Sequence, residues 1–300
     1  MTHDLREETF PDNDAWVRAV HDRGLGFDLR MLSRRRALGL LGGLGLAGLT
    51  GCTGASPSAS GTPGAATSGS AASSATAGGT ASAAATGAAC VPEVPDETAG
   101  PFPGDGSNGA DALTTNGVVR TDIRSSFGGA SGVAEGIPLT LRMTVLNLAE
   151  ACAPMAGAAI YVWQCDRESN YSMYSSSVRN QNYLRGVAGT DAAGVVEFTT
   201  IFPGCYAGRW PHIHFQVFES VEAAISGRRQ IVKTSQVAFP EDACRAVYAA
   251  DGYATSGTNL SRVSLQTDSV FREDGGARQL ATMAGSNAQG WTADLTIAVN

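Results

Sequence analysis

Histidine is scarce in this chain, with four in 300 residues. Two of these, His3 and His21, belong to the N-terminal segment, so the remainder holds only His212 and His214. That shortage argues against metal sites built from three or more ring nitrogens, and no H-x-x-E accompanies the pair. The six cysteines include no C-x-x-C, which argues against a structural zinc site. A basic excess is also missing. With 21 Lys and Arg against 28 Asp and Glu the formal net charge is -7, and nothing points to a nucleic-acid partner. The apolar run at 39–49 is too short and too rich in glycine to span a bilayer. There is no internal repeat and little helical periodicity.

What is present divides the chain into three parts. Ser33-Arg34-Arg35-Arg36 ahead of the apolar run resembles a twin-arginine export signal, and Leu49-Thr50-Gly51-Cys52 resembles a lipobox whose cysteine is lipidated after cleavage. Residues 1–52 are therefore expected to be an export signal ending at Cys52, with translation starting at Met1 or Met31. Residues 53–89 are almost wholly Ala, Ser, Gly and Thr; they have nothing to bury and read as a flexible tether. The expected location is extracytoplasmic, with the domain lipid-anchored to the outer face of the cytoplasmic membrane. Residues 90–300 are expected to form the folded domain.

Within that domain, Cys90 to Pro103 carries four prolines and reads as an extended, turn-rich lead-in. Leu139 to Val145 alternates apolar and polar residues, the signature of a half-buried strand. Further strands are expected at 158–164, 194–201, 211–218, 229–239 and 292–299, separated by Gly, Pro and Asp turns. Helices are expected at 241–250 and 269–284. Such a succession indicates an all-β fold, a β-sandwich core with long loops and few short helices. Cys152 and Cys165 flank a strand that, at about 3.3 Å per residue, would hold them too far apart to bridge. The expected pairings are Cys205 with Cys244, and Cys90 with either Cys152 or Cys165.

The chemistry concentrates in Pro203-Gly204-Cys205-Tyr206-Ala207-Gly208-Arg209-Trp210-Pro211-His212-Ile213-His214-Phe215. On a strand, residues two apart share a face, so His212, His214 and Gln216 point one way while Ile213, Phe215 and Val217 enter a core. One strand thus offers two imidazoles to a single metal ion. The turn at Pro203-Gly204 brings Tyr206 and Arg209 beside them.

Together with Tyr161-Val162-Trp163-Gln164-Cys165-Asp166, Tyr171, Asn182-Tyr183-Leu184-Arg185-Gly186 and Thr190-Asp191, this stretch resembles the intradiol ring-cleavage dioxygenases across about residues 96–240. The best match is to their smaller, exported members, which lack a helical dimerisation domain. The resemblance implies a ferric ion, Fe(III), held in a β-sandwich by two tyrosinates, Tyr171 and Tyr206, and two histidines, His212 and His214. Tyr174 competes with Tyr171 for the first of these places. The resemblance further implies that Arg209 acts on the bound, activated substrate, that Gln236 follows on the next strand, and that Tyr206 is the tyrosinate displaced when substrate binds. The implied substrates are a small aromatic diol and O2, and the implied product is a cis,cis-muconate. The alternative is a membrane-tethered module that binds iron or a catecholate without turnover. Cys165 and Cys205 read as disulfide or core residues, not ligands.

Overall fold

Alternation along the first strand sets the architecture. The computed structural model describes residues 90–300; the expected export signal, Cys52 and the 53–89 tether lie outside the described residues. β1 (Pro138–Asn147) buries Leu139, Leu141, Met143 and Val145 and turns Arg142 outward. It pairs antiparallel with the short β2 (Ala153–Pro154) and with β5 (Val195–Ile201), and parallel with β9 (Gly290–Val299). β8 (Thr282–Ser286) adds to the far side of β9. The second sheet is antiparallel throughout, in the order β4 (Arg185–Gly189), β3 (Ala159–Trp163), β6 (His212–Phe218), β7 (Lys233–Ala238).

The two sheets face each other across one apolar core. Leu139, Leu141 and Met143 of β1, Phe198 of β5 and Leu295 and Ile297 of β9 join Ile160 and Val162 of β3 and Ile213, Phe215 and Val217 of β6. The opposite face of the second sheet is also covered: Ala159, Tyr161, Trp163 and Val187 pack beneath Phe102, Leu113, Val118, Tyr171 and Tyr174 from the loops. This explains why every residue of β6 is buried. A one-residue slip of β6 would exchange three apolar side chains for two histidines and a glutamine. At about 1.5–3 kcal/mol per large apolar side chain, that register is strongly disfavoured.

Three short helices complete the domain: α1 (Val221–Ile225), α2 (Glu241–Tyr248) and α3 (Ala254–Leu260). Among the described residues no helix is long and apolar enough to cross a membrane. The expected all-β sandwich is what the structure contains, and six expected strands and the 241–250 helix are present within a few residues. The helix expected at 269–284 is not formed: it is replaced by a 3-10 turn at Phe271–Glu273 and by β8. Gly275 and Gly276 adopt positive φ there, a conformation incompatible with a continuing helix. β4 is a strand without a sequence signal, because Arg185-Gly186-Val187-Ala188-Gly189 has no apolar alternation.

Cys90 and Cys152 form a disulfide with Cα atoms 5.5 Å apart, the first of the two alternatives for Cys90. The Cys205–Cys244 pairing is contradicted, since both are free, as is Cys165. All three are buried, and their thiols turn to separate carbonyls: Cys165 to Gly204, Cys205 to Arg209 and Cys244 to Phe239. They behave as small core residues, and burial pushes the Cys205 thiol up to about 12.

Candidate metal centre

β6 presents two imidazoles from its covered face. In register, Trp163 of β3 lies opposite His214, which lies opposite Gln236 of β7. The Trp163 indole stacks on the His214 ring, with centroids 4.8 Å apart and planes at 3°. The His212 and His214 Nε2 atoms face each other at 3.0 Å. His212 Nδ1 lies 2.5 Å from the Trp210 carbonyl, which can only accept. The ring hydrogen is therefore on Nδ1, and Nε2 presents its lone pair to the site. Burial, reinforced by Arg209, lowers the His212 pKa to about 3; burial, His212 and Arg209 hold His214 well below its ordinary value. Both rings are neutral at physiological pH, the form that binds metals.

Two loops bring phenols to this pair. After β3, Asp166 accepts hydrogen bonds from the Glu168 and Asn170 backbone and from the Tyr183 hydroxyl, folding the loop so that Tyr171 points inward. The Tyr171 hydroxyl lies 3.4 Å from His212 Nε2. Tyr174, the competitor, is engaged elsewhere, donating to Asn108 and accepting from the Gly104 backbone. After β5, the Pro203-Gly204 turn carries Tyr206, whose ring centroid is 5.4 Å from that of Tyr171. The two loops press together. A Cβ on Gly204 would fall 2.2 Å from the Asp166 carbonyl, and Ser169 Oγ donates to the Cys205 carbonyl at 2.9 Å. Burial raises the Tyr171 hydroxyl well above its ordinary value, and burial with Cys165 pushes Tyr206 up to about 12. Without a strong cation nearby, both remain phenols.

The proline-rich lead-in forms the roof. It is fixed by the Cys90–Cys152 disulfide, by Lys233 paired with Glu93 at 2.7 Å, and by the Glu97 N–H donating to the Thr234 carbonyl. Further along, the Pro103 carbonyl accepts from the Tyr161 hydroxyl at 2.7 Å and from Arg185 Nη1 at 2.8 Å. Arg185 is fully buried and also binds Ser172, so it ties the Tyr171 loop to the roof; the sequence displayed it in a motif without indicating that task. Phe102 packs on Tyr171 and Tyr206 at 4.9 and 5.6 Å between centroids. Gly100 has a φ of 66°, and a Cβ there would stand 3.3 Å from His214 Cε1.

Arg209 is held on two sides. Its Nη2 donates to Gln236 Oε1 at 2.7 Å, and its Nε to Asp268 Oδ2 at 2.9 Å. Gln236 in turn donates to the Thr98 carbonyl at 3.0 Å. The structure thus gathers Tyr171, Tyr206, Arg209, His212, His214 and Gln236 in one region. Asp268 is an addition that the sequence did not disclose. It lies in an irregular segment far along the chain, and Thr267-Asp268-Ser269 resembles any polar loop. Among the described residues no three His, Cys, Asp or Glu side chains are grouped to hold a metal. Beside the two imidazoles the Tyr171 hydroxyl, 3.4 Å from His212 Nε2, offers a hard oxygen donor, and such a donor set fits a hard, highly charged cation.

The family model described as dioxygenase, Dioxygenase_C, matches residues 124–284, and the chain belongs to this family. As a dioxygenase it is an oxidoreductase. Its fold is similar to that of an intradiol ring-cleavage dioxygenase from Tetranychus urticae, at 24% identity and a TM-score of 0.51, over 61% of this chain and 87% of that one. A dioxygenase domain from a carbohydrate-binding fusion protein of Streptomyces sp. SirexAA-E is 21% identical, over 70% and 99% of the two chains, with a TM-score of 0.45. No curated protein matches this chain in sequence.

Proposed function

We propose that this enzyme opens a catechol-type ring with O2 between its two hydroxyl-bearing carbons, using Fe(III) held by Tyr171, Tyr206, His212 and His214, and releases a cis,cis-muconate-type product. The observation that carries this reading is the pair of neutral ring nitrogens 3.0 Å apart, one with its lone pair fixed by the Trp210 carbonyl, beside a buried phenol at 3.4 Å. Two nitrogens so placed share either a proton or a metal. When bound, a ferric ion would supply the Lewis acidity and one-electron chemistry through which a catechol and O2 react.

The chain's own residues divide the remaining work. Tyr206 is partly exposed where Tyr171 is 2% exposed, so Tyr206 is the side chain with room to swing away and, as a phenolate, to take a proton from the incoming diol and become a phenol. Its pKa of about 12 makes its ionised form a strong base. Arg209 places a positive charge beside the site, suited to stabilising negative charge on the activated ring in a water-poor pocket. Phe102 and the roof exclude solvent.

The deciding experiment is oxygen uptake by iron-loaded protein with catechol. One O2 per ring opened and a red to burgundy protein are expected. A colour change on adding catechol without uptake would replace this reading with a binding module. Export and lipidation at Cys52 are part of the proposal and rest on Arg34, Arg35 and Leu49 to Cys52. Mass spectrometry of the mature N-terminus from a membrane fraction tests them, and an unmodified Cys52 in a soluble fraction refutes them.

A further inference from the structure

We infer that Asp268 is the positioning residue of this site: it fixes the Nε edge of Arg209 and the backbone leading into His212, and so sets where the guanidinium acts. The inference rests on the ring-cleavage reading for the consequence to turnover, but not for the hold itself.

Asp268 is fully buried and accepts five hydrogen bonds, which its two oxygens divide. Oδ1 takes the Val270 and Phe271 N–H groups at 2.8 and 3.1 Å, an ordinary local turn, and Arg209 Nη2 at 3.4 Å. Oδ2 takes Arg209 Nε at 2.9 Å and the Trp210 N–H at 2.6 Å. A local turn needs only the first oxygen. The second is committed to residues 58 and 59 positions earlier in the chain. Trp210 is also the residue whose carbonyl sets the His212 tautomer, so one carboxylate holds both the arginine and, through its N–H, the residue that orients the histidine.

The chemistry requires such an anchor. A guanidinium beside a metal cation is repelled by it, and Arg209 is only 16% exposed at its side chain, so it cannot relax into water. A buried carboxylate offsets that repulsion, and charge-assisted bonds to a planar fork fix direction as well as distance. With Nε on Asp268 and Nη2 on Gln236, Nη1 has no hydrogen-bond partner among the described residues. It is the nitrogen left to meet substrate. A carboxylate buried to this degree without the arginine would be strongly unfavourable, which ties the two residues energetically.

Asp268→Asn, Arg209→Gln and the double variant form the test, each measured for denaturant unfolding, iron content, colour and catechol turnover. Arg209→Gln strands a buried carboxylate and should lower the folding equilibrium constant about a hundredfold or more; the double variant should recover at least about tenfold of that. Asp268→Asn should keep iron and colour while kcat falls about tenfold to a hundredfold and KM stays within about threefold, the mark of a misplaced group rather than a damaged fold. The double variant should turn over no more slowly than Arg209→Gln.

Wild-type kcat in a folded Asp268→Asn, or effects that multiply in the double variant, would overturn the inference. Should Asp268→Asn not fold, Asp268→Glu takes its place, since it keeps the charge but shifts it by one methylene; an unchanged kcat there is equally fatal. If the wild type consumes no O2, the ring-cleavage reading fails, and the unfolding cycle alone judges the hold: independent effects sink it, coupled effects sustain it.

Discussion

The outward faces of the two sheets are built from similar strands and have opposite fates. On the first sheet, Arg142 of β1 lies across from Glu197 and Asp294 in register and pairs with them at 2.6 and 3.5 Å, exposed to water. On the second, His212, His214 and Gln216 of β6 occupy the equivalent outward positions but are 1–3% exposed beneath the loops and the lead-in. Polar residues facing water cost little and do little. The same kind of residue roofed over loses its solvent and must find protein partners, and its protonation state is then set by its neighbours. The candidate site is what results when the outward face of a sandwich is covered by a second, loop-built layer.

The sharpest way to break this contrast is to remove a donor from the covered face. Tyr171→Phe is expected to lose or shift the visible band and to lower oxygen uptake with catechol by about a hundredfold or more, while changing thermal stability little. Tyr206→Phe should do the same to the colour. Unchanged iron content and colour in both variants would refute the ligand assignment.

A smaller but still large effect is expected at the roof. Gly100→Ala imposes a side chain on a backbone with φ of 66° and sets a methyl 3.3 Å from His214. The left-handed backbone alone costs about 1–2 kcal/mol. Lowered stability with weakened iron retention is expected; a variant indistinguishable from the parent in melting and iron content would show that the roof does not sit on the histidine.

Glu97 gives the contrast a pH signature. Burial is the first cause that raises its carboxyl to about 8, with Arg209 opposing and Asp274, Glu273 and Asp268 assisting. Because the folded-state pKa lies above the unfolded value of about 4.5, the folded protein holds this proton more tightly. Its contribution to stability is therefore present below about pH 4.5 and is lost as the pH rises through about 8. Glu97→Gln should flatten that slope in denaturation midpoints measured from pH 5 to 8. An identical slope would place the carboxyl in solvent.

The least effect belongs to the exposed face. Arg142→Ala breaks two ion pairs yet should leave turnover untouched and the melting midpoint almost so, and salt should mask what remains. A large loss of stability would mean that the two faces are less different than their burial suggests.

Much of the fold was legible because strands advertise themselves with period two. Leu139 to Val145, Val195 to Ile201 and His212 to Phe218 carry their own face assignments, so the sandwich and the shared face of the two histidines follow from spacing. The failures share a cause. β4 has two glycines and an arginine in place of an alternating pattern, and its Arg185 is buried with Ser172 and Pro103 as partners. The 269–284 segment has helical composition but glycines with positive φ. Cys205 and Cys244 were the expected partners, yet each thiol turns to a nearby carbonyl.

Local pattern, then, settled which residues lie on one strand and which side of it they take, since alternation is a property of a single extended backbone. Folding alone settled that the roof covers those residues, that Tyr171 and not Tyr174 turns toward His212, and that a carboxylate 59 positions away grips Arg209. These outcomes depend on contacts between segments distant in sequence. Their energies come from burying polar groups together, and no spacing along the chain encodes which groups those will be.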